Sequence, residues 1–137
     1  MKTIATAIYK PLCQFYGAGE VYHGTGHNVS GFPYQTFSVG AAQLPMRNSG
    51  ALNQYAVDQI PFTVHVWSKS APQASDRVSQ IRNHFLNNKL DVRDHTCLRV
   101  TVTSFEVTED PEPDADGQPV WHGIVIFEAW LVRSSES

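Results

Sequence analysis

The segment from Ile60 to Ser68, together with the helix predicted directly after it, constrains the fold of this chain most tightly. Apolar residues alternate with more polar ones through most of the segment, a period of two that is typical of a strand with one buried face. The next four residues, Ser70-Ala71-Pro72-Gln73, form a capping-box pattern with proline in the first helical turn, where its missing N–H costs nothing. Apolar residues beyond them recur at spacings of four, three and four: Ala74, Val78, Ile81 and Phe85. The sequence therefore predicts a strand joined by a tight turn to an amphipathic helix.

The residues before this unit predict one helix and two strands. Apolar residues at helical spacing begin near Thr3, and Pro11 among them predicts a kink or an early end of this first helix. A short strand is expected at Val21-Tyr22 and a second one from Phe32 to Gly40, with a loop between them. The polar segment from Gln43 to Tyr55 has no clear period, and a loop of that length in a compact domain is often functional.

Two further strands are predicted after the second helix, which we expect to end at Asn87-Asn88 because Asn tolerates the left-handed conformation there. The first of these strands begins at Cys97 with a clean alternation, and its apolar residues then change phase. We therefore expect a bulge near Thr103-Ser104. The segment from Glu109 to Pro119 is rich in Pro, Asp and Gly, which indicates a connector between two strands.

The last predicted strand, Val120 to Arg133, is apolar on both faces. A strand in a single-layer antiparallel sheet should keep one face in water. The chain offers two predicted helices, and they most simply cover the same face of the sheet. We therefore expect another copy of the protein to bury the second face, which carries Trp67 of the central strand and four residues of the last one: Ile124, Ile126, Trp130 and Val132.

The order of elements, helix, three strands, helix and two strands, predicts an α+β fold. We expect a mainly antiparallel sheet of about four or five strands with two helices packed on one face. A length of 137 residues suits one domain spanning residues 1–137. The net charge of −3 argues against a protein that wraps nucleic acid by neutralising phosphates. No apolar run is long enough to cross a bilayer, and Lys10 and Pro11 interrupt the run that a signal peptide would need.

The residue types that most often carry chemistry do not form a recognisable site. His23 and His27 have metal-ligand spacing, but the glycines between them argue against a helix and no acidic ligand follows. Cys13 and Cys97 lie far apart and neither has a neighbour that would activate the thiol. Asp114 opens a segment like the start of a calcium loop, without the closing glutamate. We predict no catalytic residue, no metal site and no cofactor.

Two other histidines, His65 and His122, each lie on a predicted strand beside a tryptophan. A partly buried histidine with a satisfied ring nitrogen is the structural interpretation that we prefer for both.

Three segments, taken in order, resemble one protein family. They are Phe32-Pro33-Tyr34 at the start of the second strand, the central strand from Phe62 to Ser68 with its helix, and Trp121 to Phe127 near the end. Val21-Tyr22 also fits. The pattern is similar to the tail terminator proteins of long-tailed phages, also called tail completion or tail-to-head joining proteins, which have relatives in gene transfer particles. The chain departs from the family at Pro11 and in the length of the loop from Gln43 to Tyr55.

The resemblance implies an α+β protein that assembles into a homo-hexameric ring in the tail-neck region of a virion. The ring would cap the finished tail tube, stop further tube polymerisation and present a joining surface to the head connector. Implied partners are further copies of the chain, the tail tube protein, the head connector or completion protein and the tape measure protein, with DNA only passing through the lumen and no membrane. Assembly would take place in the host cytoplasm. A loop facing the tube or the lumen would carry Met46, Arg47, Asn48 and Asn53.

Two alternatives stay open at this point. A head completion or connector protein also forms rings at the neck. A small cytoplasmic enzyme or ligand-binding domain, using His23, His27 or Cys97, belongs to a different class. A strictly monomeric protein with a deep polar pocket would favour the second alternative.

Overall fold

The computed structural model describes residues 4–24, 31–41, 57–114 and 116–133. Within these ranges the chain forms helix α1 (Ile4–Tyr16), a short 3₁₀ turn (Ala18–Glu20), strands β1 (Val21–His23), β2 (Tyr34–Val39) and β3 (Val57–Ser68), helix α2 (Ala71–Asn87), and strands β4 (His95–Glu109) and β5 (Trp121–Arg133). This order is the predicted one. In the described residues, neither helix is long and apolar enough to cross a membrane.

The five strands form one sheet in the order β1-β2-β3-β5-β4. The short β1 is parallel to β2, and the other neighbours are antiparallel. The sheet therefore centres on β3 and β5, which pair along twelve residues from Val57↔Val132 to Ser68↔Trp121. The predicted α+β class and mainly antiparallel sheet are confirmed.

Both helices pack on the same face of this sheet. The buried core combines apolar residues of α1, such as Leu12, with those of α2, such as Phe85, and with the alternate residues Phe62, Val64 and Val66 of β3. Phe62 stacks on Phe127 of β5, with ring centroids 4.7 Å apart, and Phe85 meets this pair edge-on. The central strand buries the face that its period of two predicts.

The turn between β3 and α2 is held by side-chain hydrogen bonds. Ser70 caps the helix by accepting from the backbone N–H of Gln73 at 3.4 Å, as the capping-box pattern predicts. The hydroxyl of the fully buried Ser68 donates to Oε1 of Gln73 at 2.6 Å. This contact ties the end of the strand to the first turn of the helix, which fixes how α2 leaves the sheet.

Two expectations about the helices are corrected. Of the kink and the early end expected at Pro11, the early end is wrong. Helix α1 continues to Tyr16, because burial of its apolar face, including Ala7 and Leu12, outweighs the backbone hydrogen bond that proline cannot donate. Helix α2 does end at Asn87, but Asn88 is extended rather than left-handed. Its side-chain amide instead donates to the carbonyl of His84 at 3.0 Å.

Strand β4 carries two irregularities where one was expected. The shift between Val102 and Ser104 confirms the predicted bulge. A second shift, between Cys97 and Arg99, was not foreseen. Because of it, Cys97 and Val100 both face the core, while Leu98 is 46% exposed. The expected clean alternation of Cys97 to Val102 is therefore wrong at its start.

Candidate functional site

The face of the sheet opposite the two helices is the candidate functional surface, and we call it the open face. Alternation places on it every second residue of the long central strands, in register across β3 and β5. Its apolar residues are half-buried in the isolated chain. They include all five residues that the sequence assigns to an oligomer interface: Trp67, Ile124, Ile126, Trp130 and Val132. The structure thus brings these five residues onto one surface, and their role as an interface stays a prediction.

Aromatic rings form a row across one end of the open face. Tyr34 of β2 lies opposite Trp67 of β3, and Trp67 lies opposite His122 of β5. The Trp67 and His122 rings stack with centroids 4.0 Å apart and an angle of 9° between their planes. Tyr34 and Trp67 are 6.1 Å apart at 21°. Because three strands contribute to it, the row forms only when the sheet is assembled in this register.

His65 and His122 share a hydrogen bond beside this row. Nδ1 of His65 lies 2.7 Å from Nε2 of His122, and the two rings are nearly parallel, at 9°, with centroids 4.9 Å apart. Because the centroids are this far apart while two ring nitrogens are in contact, the two imidazoles meet edge to edge. One nitrogen donates and the other accepts. The prediction of two partly buried histidines with a satisfied nitrogen is confirmed.

Burial sets the charge state of this pair. It lowers the pKa of His65, and the neighbouring His122 lowers it further. It also lowers the pKa of His122, against the opposing effect of the Asp110 carboxylate. Burial likewise raises the pKa of Tyr34, and the nearby Asp110 carboxylate raises this pKa further. The row is therefore uncharged at neutral pH.

Trp130 occupies the other end of the open face. The guanidinium of Arg99 on β4 lies over its ring, 4.5 Å from the centroid. The indole Nε1 of Trp130 is buried and has no hydrogen-bond partner among the described residues. Next to it, Gln59 donates to Glu128 at 2.8 Å. Polar groups thus border this apolar surface, and they belong to Arg99, Gln59 and Glu128.

The residues considered for an enzyme are not brought together. His23 lies on β1 and Cys97 on β4, the two outer strands of the sheet. The usual strand spacing separates them by about 19 Å across the sheet alone, and the strand register adds a further separation along the strands. Cys13 is on α1, and His27 lies outside the described residues. Among the residues that the structure describes, no group of three or more potential ligands could hold a metal ion.

The other predicted residues fall into two classes. Asp114 lies in the hairpin connector, where its Oδ1 accepts from the backbone N–H of Asp116 and Gln118, and Lys69 pairs with its Oδ2 at 2.9 Å. This is the turn that its composition predicts. The loop residues expected to face a tube or lumen lie outside the described residues: Met46, Arg47, Asn48 and Asn53.

Sequence reasoning missed two contributors to the open face, Tyr34 as a member of the row and Arg99 over Trp130. It also missed that His65 and His122 bond each other. The alternation of β2 carried a signal for Tyr34, since a period of two places Tyr34 and Phe37 on opposite faces of the strand. The sequence carried no signal for the hydrogen bond between His65 and His122, because it depends on the pairing of β3 with β5, two segments more than fifty residues apart in the chain.

Comparison with known proteins agrees with this fold and with the resemblance stated above. The sequence profile of the family Tail completion protein gp17 matches residues 15–131. Among solved structures, the chain is similar to a chain of the "Virion of native gene transfer agent (GTA) particle", with a TM-score of 0.65, 12% identity and 94% of each chain covered. At that identity the likeness shows the fold alone. No curated protein matches the sequence at a significant level. Since the profile spans most of the chain, the protein belongs to the tail completion protein gp17 family, which comprises structural virion tail proteins and not enzymes.

Proposed function

We propose that this protein, as a single domain spanning residues 1–137, assembles into a homo-hexameric ring that caps the finished tail tube. The ring stops polymerisation of the tube protein and offers a joining surface to the head connector. It acts in the tail-neck region of the virion and is assembled in the host cytoplasm. Its other partners are the head completion protein and the tape measure protein, and DNA only passes through the lumen.

The observation that carries this proposal is the second apolar face of β5. One face of this strand is buried under the helices, and it carries Val125, Phe127, Ala129 and Leu131. The opposite face carries Ile124, Ile126, Trp130 and Val132, and no described helix packs on it. These side chains are already half-buried, so a neighbouring copy that covered this face would gain part of the about 1.5–3 kcal/mol that burying a fully exposed Ile provides.

A ring follows from the way such a face can be used. If the open face of one copy meets a different surface of the next, the contact is heterologous, and it closes into a ring when the rotation between copies divides a full turn. Obligate interfaces of this kind are more apolar than transient ones.

Electron microscopy of the purified protein mixed with purified tail tubes tests the whole proposal. We expect rings at one end of each tube and tubes that no longer grow when tube protein is added. Rings that bind isolated heads and ignore tubes would instead support a head completion or connector protein. A strictly monomeric protein that leaves tube growth unchanged would overturn both the tail-capping ring and the head completion alternative.

A further inference from the structure

We propose that the hydrogen-bonded pair His65–His122 makes assembly of the open face pH-dependent. The ring holds together while the pair is neutral, and it separates into subunits when the pair takes up protons. This inference rests on the proposed ring, because it concerns the surface through which the copies would meet.

The position of the pair within the open face is the first step. His122 is stacked on Trp67 and lies beside Ile124, which is directly opposite His65 in the strand register. Trp67 and Ile124 are two of the residues assigned to the interface between copies. A copy that covered Trp67 and Ile124 would therefore also cover the two imidazoles.

The hydrogen bond itself limits how many protons the pair can hold. With Nδ1 of His65 and Nε2 of His122 2.7 Å apart, one nitrogen must accept. A first proton can bind the outer nitrogen of the donor ring, but it puts a charge into a half-buried apolar surface. A second proton would set two N–H groups against each other, and this breaks the bond. The first proton therefore charges the surface, and the second proton also separates the rings.

The charged and titratable groups around the pair do not offset this effect. Those that share the open face or its end are Tyr34 from β2, Glu106 and Arg99 from β4, Asp110 just beyond β4, Glu128 from β5, and Lys69 just beyond β3. Asp110 favours the protonated form of His122, yet burial outweighs it. Glu128 is bonded to Gln59 and Lys69 to Asp114. Within the described residues, neither imidazole has a carboxylate as hydrogen-bond partner.

The direction of the pH effect follows from burial. Already in the single chain, burial holds the pKa of both histidines below the ordinary value of 6.5. Covering the open face lowers these pKa values further, so the separated subunit binds protons more readily than the ring does. Well above pH 6.5 both states are neutral and pH has no influence through the pair. As the pH falls below about 6.5, protons favour the separated subunits.

Analytical ultracentrifugation of the full chain from about pH 7.5 to about pH 5 measures this linkage. Each proton taken up on separation raises the apparent dissociation constant roughly tenfold per pH unit. We therefore expect rings at the higher pH and a rise of about tenfold or more in that constant by the lower one. Circular dichroism at both ends of the range shows whether the separated subunits stay folded.

Two substitutions assign the effect to the pair. His65→Gln and His122→Gln each remove a titrating ring while keeping an amide that can hydrogen-bond, and each should flatten the pH dependence. The matched control is His84→Gln. His84 is also half-buried with a pKa lowered by burial, but it lies on α2 against Phe15, away from the open face. This variant should keep the wild-type response.

The outcomes separate the two proposals. A ring that is equally stable at both ends of the pH range, or glutamine variants that respond like the wild type, overturns the histidine mechanism and leaves the ring intact. Absence of any ring at the higher pH overturns the proposed ring and the inference with it. If a glutamine variant fails to fold, NMR titration of the wild-type imidazoles decides. His65 and His122 must then titrate at lower pH in the ring than in the subunit.

Discussion

At the scale of single residues, Gly123 has the least room for a side chain among the glycines that the structure describes. A Cβ built at this glycine would overlap with the side chain of Val78 on α2, because the backbone of β5 passes directly beneath the helix. We expect Gly123→Ala to destabilise the protein by about 1–3 kcal/mol, the usual cost of overpacking a core. Urea unfolding of the purified protein measures this change.

A double-mutant cycle with Val78 tests the cause. In the background of Val78→Ala, which removes the overlapping methyl groups, the extra cost of Gly123→Ala should fall to less than half. Gly19→Ala is the matched control, since a Cβ at Gly19 meets nothing within 4 Å, and its free energy of unfolding should change little. Equal costs of Gly123→Ala in both backgrounds would contradict the steric explanation.

This glycine also illustrates what a sequence can and cannot reveal about single residues. The burial of Phe62, Val64 and Val66 follows from a period of two, which is local information. The need for glycine at position 123 follows from how closely α2 crosses β5, which depends on the whole packed structure. The hydrogen bond between His65 and His122 was hidden for the same reason, since it depends on a strand register between distant segments.

At the scale of elements, Arg77 joins α2 to the β1–β2 side of the sheet. Its guanidinium bonds Oε1 of Glu20 at 3.0 Å and the amide oxygen of Gln35, a side chain that is fully buried. It also lies over the ring of Tyr16, 4.3 Å from the centroid, and so contacts α1. One side chain thus connects both helices with the edge of the sheet.

We expect Arg77→Ala to destabilise the protein by about 2 kcal/mol, mainly because it leaves the buried amide oxygen of Gln35 without a donor. The contribution of the partly exposed Glu20 pair is small, since solvent screens it. Arg77→Lys should restore only part of the loss, because one ammonium cannot reproduce the planar stacking on Tyr16.

Thermal unfolding of these variants beside Arg82→Ala gives the comparison. Arg82 lies on the same helix and over an aromatic ring, that of Phe105, but Phe105 is 50% exposed. The Arg82 variant should therefore lose much less stability. Similar losses for Arg77→Ala and Arg82→Ala would mean that Gln35 needs no partner from α2.

The elements themselves were largely predictable, and the exceptions share one cause. Residues 71–87 formed the predicted helix because its cap and apolar stripe are local patterns. Helix α1 ran through Pro11, and β4 acquired a bulge at Leu98, because packing against the core outweighed local preference in both places. The free-energy cost of a proline within a helix and the position of a bulge in a strand cannot be predicted before the surface that the element packs against is known.

At the scale of the whole molecule, the apolar pattern of the last strand was a reason to expect partners, but no local pattern could show which strands pair. Apolar residues on both faces of β5 indicated that another copy covers the second face, and the α+β class followed from the order of elements. The sheet order, with β5 between β3 and β4, was not predicted, because it is set by contacts between segments far apart in the chain. That order decides which residues surround Trp130, and it places Arg99 and Gln59 on either side of it.

These neighbours make Trp130→Asp a test of assembly. Within one subunit, the new carboxylate would lie beside Arg99, on a face that the described helices leave uncovered, so we expect a loss of folding stability of no more than about 1–2 kcal/mol. In a ring it would be buried against a neighbouring copy, where an imperfectly paired charge costs about 3–5 kcal/mol at each contact. Because this cost recurs at every interface around the ring, the variant should remain folded and fail to assemble.

Light scattering coupled to size-exclusion chromatography, with circular dichroism on the same samples, separates assembly from folding. Leu86→Asp is the matched control, because Leu86 is a large apolar residue that is 46% exposed but lies on α2, away from the open face. It should assemble like the wild type when the surface that receives the open face excludes this part of α2. Loss of assembly in both folded variants would instead place Leu86 in that second surface. An unfolded Trp130 variant would show that this tryptophan mainly supports the subunit. A folded variant that still forms rings would show that the copies meet through another surface, because a buried charge at a true interface cannot be accommodated without a measurable loss of assembly.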